Sequence, residues 1–238
     1  MIHLITYGDY KYKKSKKRLV DEAKKSGFFN TITTYGPEDL DEDFREKFKD
    51  ILKQPRIAGY GLWRPYIIKK KLNEINDNDI LIYVDAGCSI NINGKQRFGE
   101  YIEMLNKSDK GIISFQMDHP EKKYTIKEIF NYFNIDINSE YANSGQILDG
   151  ILIMKKNKNL NIIIDDWYNV MNDEPLLFTD YYNKNQEPFF IDNRHEQSIL
   201  SIVRKKHGSI IVKDETWFEQ FAGEESLKYP FWATRYND

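Results

Sequence analysis

The sequence has little of what marks a disulfide scaffold, a metal cluster, a nucleic-acid binder or a membrane protein. Cys88 is the single cysteine in 238 residues, which excludes an intramolecular disulfide and a cysteine-rich zinc site and fits a reducing compartment. Because 35 Lys and Arg oppose 37 Asp and Glu, no net charge attracts the chain to nucleic acid or to a membrane surface. No apolar run approaches the roughly 18 residues of a spanning helix, and the apolar run at residues 1–8 is too short for a signal peptide. We therefore expect a soluble intracellular protein with no transmembrane segment and no nucleic-acid partner.

Internal repeats, low-complexity linkers and abrupt changes of composition are also absent, which predicts a single domain over residues 1–238. What the chain does contain is an alternation of apolar strand patterns and amphipathic helix patterns. Strands are predicted at residues 2–7, 31–35, 80–84, 111–115, 148–154 and 209–212, and helices at 15–25, 38–51, 65–75, 98–105, 125–133, 159–171 and 195–206. This order favours an α/β domain with a mostly parallel central sheet flanked by helices. Residues 172–192 fit neither pattern, and their length is typical of a functional loop.

The most informative stretch is the predicted strand at residues 80–84, which is followed by Asp85, Ala86 and Gly87. A carboxylate at the carboxyl end of a buried strand lies where open α/β sheets bind their ligands. Ala86 and Gly87 leave room for a bulky ligand, such as a nucleotide diphosphate with a divalent metal, to approach the backbone. The alternative is an Asp that only caps the turn after the strand.

A second candidate lies at the start of the preceding helix, where Gly59 and Gly61 come before Trp63, Arg64 and Tyr66. Helix N-termini attract phosphate through their free backbone N–H groups, and an arginine adds a bidentate contact. In the alternative interpretation, Trp63 and Tyr66 are ordinary core aromatics and Arg64 is a solvated charge.

Glu196 begins a further predicted helix at the start of its apolar stripe, so we expect its carboxylate close to the sheet edge. There it would act as a base toward an incoming hydroxyl or steady a cationic sugar transition state. An equally weighted alternative makes Asn193 the N-cap of this helix and Glu196 its capping-box partner. We expect His195 at the surface or at a helix terminus, and Cys88 as a small buried thiol.

Together these residues resemble a group of bacterial and viral glycosyltransferases with the GT-A fold. Members pair a Trp-Lys-Pro-Tyr helix start with a strand that ends in Asp-Ala-Gly, and they carry a His-x-x-Gln-Ser-x-Leu-Ser helix start. The corresponding stretches here are Trp63-Arg64-Pro65-Tyr66, Tyr83-Val84-Asp85-Ala86-Gly87 and His195-Glu196-Gln197-Ser198-Ile199-Leu200-Ser201. The last is one residue shorter between His and Gln, and Arg64 replaces the usual Lys.

The resemblance implies a single Rossmann-like GT-A domain that binds a nucleotide-sugar donor, with UDP as the expected nucleotide, at the carboxyl edge of its sheet. It also implies a divalent cofactor, Mn²⁺ or Mg²⁺, held by Asp85 as the surviving carboxylate of an Asp-x-Asp motif whose second Asp is Gly87 here. Glu196 and Gln197 would lie near the reacting carbon as catalytic residues. The implied donor-binding residues are Thr6, Tyr7, Gly8, Trp63, Arg64, Asp85, Ala86, Gly87 and Gln146.

The expected function is therefore metal-assisted transfer of a sugar to a hydroxyl acceptor, with a glycan as the expected acceptor, in the cytoplasm of a bacterial cell or a virus-infected host cell. One alternative is an inactive glycan-binding or scaffold protein of the same fold, in keeping with 16 Tyr, 14 Phe and 4 Trp that can stack on sugars. Another is a nucleotidyltransferase. That activity would need a second acidic residue and a glycine-rich basic loop, which Tyr7-Gly8-Asp9-Tyr10 does not provide.

Overall fold

A seven-stranded sheet forms the centre of the computed structural model, which describes residues 1–236. Its strands are β1 (Ile2–Tyr7), β2 (Thr31–Tyr35), β3 (Ile80–Val84), β5 (Ile112–Pro120), β6 (Gly145–Ile147), β7 (Ile151–Lys155) and β8 (Ile210–Lys213). A separate two-stranded sheet pairs β4 (Ser89–Ile90) with β9 (Phe231–Trp232). The strand predicted at residues 209–212 is therefore not the last in the chain.

The direction of the strands agrees with the predicted sheet. β1 pairs in parallel with β2 and β3, and β5 pairs in parallel with β8. β7 runs antiparallel to both β3 and β5, and β6 runs antiparallel to β5. Five of the seven strands thus share one direction, which confirms a mostly parallel sheet and places the carboxyl ends of β1 and β3 at one edge.

Helices cover both faces of this sheet. They are α1 (Lys13–Ser26), α2 (Glu42–Lys47), α3 (Lys49–Leu52), α4 (Ile57–Tyr60), α5 (Trp63–Glu74), α6 (Lys95–Asn106), α7 (Glu121–Tyr124), α8 (Lys127–Tyr132), α9 (Glu140–Asn143), α10 (Lys158–Asp173) and α11 (Glu196–His207). Short 3₁₀ turns occupy Tyr10–Tyr12, Pro37–Asp39, Ile92–Gly94, Pro175–Phe178, Asn183–Asn185 and Ser226–Lys228. Within residues 1–236, no helix combines the length and the apolar character needed to cross a bilayer.

Side chains of β3 alternate between two apolar cores. Leu81 and Tyr83 join the core formed with α5, α10 and α11, whereas Ile80, Ile82 and Val84 join the core formed with α1 and α6. This alternation follows from the two-residue period of a strand. Both faces of β3 are covered, which explains its uninterrupted apolar sequence.

Three predicted elements differ from the structure. The helix predicted at residues 38–51 is broken into a 3₁₀ turn, α2 and α3, because Phe48 leaves the helical region at φ −111° and ψ 18° and buries its ring. The strand predicted at residues 148–154 begins only at Ile151, and a separate strand, β6, precedes it. The pattern Thr125-x-x-Glu128 predicts a capping box for α8, but Thr125 does not cap this helix and its hydroxyl donates to Glu121 at 2.7 Å. The sequence also predicts an extended aromatic tail at residues 228–238, in which Phe231–Trp232 forms β9, while Asn237 and Asp238 lie outside the described residues.

Candidate active site

A cavity of about 500 Å³ lies at the edge of the sheet where β1 and β3 end and β7 begins. The first turns of α5 and α11 also open onto it. Most of the residues predicted for the site line this cavity: Tyr7, Gly8, Trp63, Arg64, Asp85, Ala86, Gly87, Glu196 and Gln197. The fold therefore brings together four stretches of chain that are far apart in sequence.

Arg64 is the centre of this site. It is only 3% exposed, and its guanidinium contacts three carboxylates from three different parts of the chain. Nη2 donates to Asp85 Oδ1 at 2.8 Å, and Nη1 donates to Glu196 Oε1 at 2.6 Å and to Asp149. The rings of Trp63 and Tyr83 lie 5.2 and 5.0 Å from the guanidinium carbon. Arg64 is thus neither a solvated charge nor a surface residue.

One cation facing three carboxylates leaves a net negative cluster in a buried place. Burial acts to lower the pKa of Arg64, but Asp149 and the other carboxylates raise it, so the guanidinium stays charged. Burial raises the pKa of Glu196 well above its usual range, and Arg64 only partly opposes this. Burial likewise raises the pKa of Asp149. Glu196, which is 2% exposed, is therefore a group that binds a proton far more readily than an exposed Glu.

The start of α11 differs from a capping box. Asn193 does not cap the helix, because its Oδ1 accepts no hydrogen bond within residues 1–236. Its amide nitrogen donates to the carbonyl oxygens of Leu177 and Thr179, both at 3.2 Å. His195 is the residue before the helix and adopts φ 56°, which turns the following carboxylate toward Arg64. His195 itself is buried, with Nε2 2.8 Å from Asp180. The prediction of a helix-terminal His195 is confirmed, but the surface position and the capping role of Glu196 are wrong.

Strained backbone surrounds the same carboxylate. Five consecutive residues, 57–61, have positive φ, and three of them are not glycine. Such strain persists where the surrounding structure holds it, and it is concentrated at functional sites. Gly61 closes the run at φ 70°, and a Cβ added there would lie 2.3 Å from the carboxyl carbon of Glu196. Only glycine leaves room for Glu196 at this point.

The substitution Gly61→Ala is expected to lower the activity of this site by about 100-fold, because misplacing a reacting group by about 1 Å has an effect of that size. Gly27→Ala is the matched control: Gly27 has φ 68°, and a Cβ there would meet nothing within 4 Å. Both variants should lose about 1–2 kcal/mol of stability from the left-handed backbone. Initial rates corrected for the folded fraction check this. Equal activity of the two variants would contradict a role for the Gly61 to Glu196 contact.

Several residues at the site were missed by the sequence analysis, among them Asp149, Arg204 and the cavity-lining Arg194 and Arg235. Asp149, 6% exposed, lies in the turn between β6 and β7, inside a stretch predicted as continuous strand. Arg204 of α11 is completely buried and donates to the carbonyl oxygens of Ile147 and Leu148 at 3.2 and 2.8 Å, which holds this turn. The available signal was the Asp149-Gly150 pair, a turn dipeptide within an apolar run.

Two predicted donor-binding residues lie away from the cavity. Thr6 is completely buried in β1, and its hydroxyl has no hydrogen-bond partner within residues 1–236. Gln146 is also completely buried, and its Oε1 accepts from Gln197 at 2.7 Å. Gln146 therefore positions Gln197 and does not reach a ligand in the cavity.

The aromatic pair of Tyr7 and Trp63 in the cavity wall is largely buried by its own packing. Tyr7 and Trp63 stack with their ring centroids 3.7 Å apart and an interplanar angle of 15°, and both are buried. Trp63 Nε1 also donates to the carbonyl oxygen of Ile57 at 3.3 Å. Each ring thus has one face covered by the other, so the pair forms a wall of the cavity.

Cys88 is buried as predicted, and burial raises the pKa of its thiol well above the usual range.

The residues present do not fit a divalent metal held by the protein. Asp85 Oδ1 already accepts from Arg64 and from the Tyr83 hydroxyl. The position of the second Asp in an Asp-x-Asp motif is Gly87, where an added Cβ would lie 2.9 Å from the carbonyl oxygen of Tyr236. Among residues 1–236, no group of three or more His, Cys, Asp or Glu side chains has an arrangement that could hold a metal ion.

Comparison with known proteins identifies the fold. No protein-family profile matches the sequence, and no curated protein matches it. A glycosyltransferase involved in the glycosylation of the major capsid of PBCV-1 has a similar structure, with a TM-score of 0.56, 14% identity, and coverage of 97% of this chain and 91% of that one. The protein described here has the GT-A glycosyltransferase fold.

Two further solved structures match less closely. Mouse xyloside xylosyltransferase 1 gives a TM-score of 0.48 at 8% identity, over 91% of this chain and 87% of that one. The galactosyltransferase LgtC, in complex with donor and acceptor sugar analogues, gives a TM-score of 0.44 at 11% identity, over 91% of this chain and 75% of that one.

Proposed function

We propose that the protein is a glycosyltransferase that moves a sugar from a nucleotide-diphosphate sugar to a hydroxyl acceptor, with a glycan as the expected acceptor. The observation that carries this proposal is the buried cluster of Arg64 with Asp85, Asp149 and Glu196, at the ligand-binding edge of a GT-A sheet. A cavity of about 500 Å³ is of the size that small-molecule ligands occupy.

The exposure of the three carboxylates differs in a way that suits separate roles. The side chain of Asp85 is 37% exposed, whereas those of Asp149 and Glu196 are 8% and 2% exposed. Asp85 can therefore accept hydrogen bonds from sugar hydroxyls in the cavity while Arg64 fixes its orientation. The two buried carboxylates lie deeper, where the raised pKa of Glu196 suits a group that takes up a proton.

The proposed reaction uses these groups as follows. The acceptor hydroxyl oxygen bonds to the anomeric carbon, and the bond from that carbon to the diphosphate oxygen breaks with its electron pair. The hydroxyl proton passes to Glu196. Arg64 keeps Glu196 and Asp85 in fixed relative positions, which supplies orientation before the reaction begins.

The substitution Asp85→Ala tests the proposal. We expect a loss of transfer of about 100-fold or more, because the sugar is no longer held in place, with the fold retained. Transfer is measured as nucleoside diphosphate released from a panel of nucleotide sugars with mixed glycan acceptors.

The matched control is Asp79→Ala at the opposite end of β3. Asp79 is also buried and hydrogen-bonded, to His3 at 3.3 Å and to the backbone N–H of Asn76 at 3.0 Å, but it does not line the cavity. This control should lose stability and keep its activity per folded molecule. Unchanged transfer in Asp85→Ala would contradict the proposed role of Asp85. Nucleotide-sugar binding without any transfer by the wild type would favour an inactive glycan-binding scaffold.

A further inference from the structure

Within residues 1–236, two of the arginines that line the cavity have no carboxylate partner. Arg194 contacts the ring of Tyr124, whose centroid lies 4.1 Å from its guanidinium carbon, and the sulfur of Met117 at 3.8 Å. Arg235 is exposed at the cavity and makes no ion pair or hydrogen bond through its side chain within residues 1–236. By contrast, Arg56 and Arg64 in the same cavity are ion-paired.

Arg194 and Arg235 line the same cavity and carry charges of the same sign. Burial lowers the pKa of Arg194, and the positive charge of Arg235 lowers it further, despite opposing contributions from Tyr124 and Asp149. Two like charges at one cavity disfavour each other, and an anion bound between them removes that cost. The part of the cavity next to Arg194 and Arg235 therefore favours a negatively charged ligand.

The C-terminal segment that carries Arg235 is anchored on the Asp85 turn. The backbone N–H of Tyr236 donates to the carbonyl oxygen of Gly87 at 2.8 Å, and the Thr234 hydroxyl donates to the same oxygen at 2.9 Å. The segment thereby fills the space that a side chain at position 87 would need. A cation thus stands next to the place where an Asp-x-Asp motif would have its second carboxylate.

We infer that Arg194 and Arg235 bind the diphosphate of the nucleotide-sugar donor and that binding and transfer need no divalent metal. This inference rests on the proposed function. As the bond to the anomeric carbon breaks, its electron pair goes to the departing diphosphate oxygen, and the two guanidinium groups stabilise that added charge. The residues around Asp85 do not provide a metal site. Arg194 and Arg235 neutralise the phosphates in place of a metal.

Binding measured with and without metal tests this inference directly. We expect inorganic pyrophosphate and UDP to bind with the same affinity in EDTA as in MnCl₂, by isothermal titration calorimetry. Arg194→Gln and Arg235→Gln should each raise the Kd in EDTA by about 10-fold or more, the effect of losing one charged hydrogen bond. Arg194→Lys, which keeps the charge, should retain most of the binding. This variant distinguishes the loss of a positive charge from a change in the structure around position 194.

The matched control is Arg45→Gln, which removes one positive charge from an exposed position on α2, outside the cavity, and should leave the Kd unchanged. Binding or transfer that is lost in EDTA and restored by Mn²⁺ would overturn the inference while the glycosyltransferase proposal stands. Wild-type affinity in both Gln variants would also overturn it. If pyrophosphate binds through the two arginines but no sugar is transferred, the anion site is supported and the proposed function fails.

Discussion

Replacing Arg64 with methionine is expected to abolish sugar transfer and to lower the free energy of unfolding by about 3–5 kcal/mol. The guanidinium is the only cation in direct contact with Asp149 and Glu196 among the described ion pairs, and both carboxyls are buried. Its removal leaves them without an opposite charge in a place of low polarity. It also releases Asp85, whose Oδ1 is held by Nη2 of Arg64.

Urea denaturation of Arg64→Met at pH 8 and at pH 5 measures this effect. The difference in the free energy of unfolding between wild type and variant should be smaller at pH 5, because the protonated carboxyls of Asp149 and Glu196 no longer need a cation. Arg64→Lys serves as the control for charge: a lysine restores one positive charge but not the planar fork that reaches three carboxylates, so stability should recover more than activity. A fully stable and active Arg64→Met variant would show that the cluster organises neither the fold nor the reaction.

Glu196→Gln is expected to lower transfer by about 100- to 10,000-fold, the range for loss of a general acid or base. The same change should leave the protein as stable as the wild type at neutral pH, or more stable. A glutamine still offers an oxygen to Arg64, and it removes a carboxyl that is costly to ionise where it is buried.

The pH dependence of this variant has a definite sign. Burial raises the folded-state pKa of Glu196 above its unfolded value, against the partial opposition of Arg64. Its contribution to stability is therefore fully present below the unfolded pKa and is lost as pH rises through the folded pKa. Glutamine does not titrate, so the difference in melting temperature should move in favour of Glu196→Gln as pH rises from 5 to 9.

Wild-type transfer should increase over the same pH range, because the base must lose its proton before it accepts one. Glu215→Gln is the control, since Glu215 pairs with Arg97 outside the cavity. A melting-temperature difference that stays constant with pH, or full activity in Glu196→Gln, would rule out Glu196 as the proton acceptor.

The site residues that the sequence analysis recognised lie at the ends of predicted strands and helices. Asp85 follows an apolar strand, Arg64 and Glu196 begin helices, and strand and helix ends can be recognised from periodicity alone. Most of them line the cavity. Thr6 and Gln146 were included by resemblance only, and the fold buries both.

The residues that were missed depend on contacts between distant parts of the chain. Asp149 became visible only because β6 and β7 are separate strands, and Arg204 matters because it holds the turn between them. Arg235 lies 150 or so positions after the Asp85 turn, yet its segment pairs with the backbone of Gly87. No local pattern predicts such pairings, because they follow from the order of strands in the sheet.

By itself the sequence determined the class of fold and the edge of the sheet where the cavity lies, because strand and helix periods are local properties of a chain. Only the tertiary structure decided that three carboxylates share Arg64 and that the C-terminal segment occupies the space beside Gly87. It also decided that two arginines at the cavity form no ion pair within residues 1–236. Charge interactions depend on distance and on burial, and both are set by packing between elements that are remote in sequence.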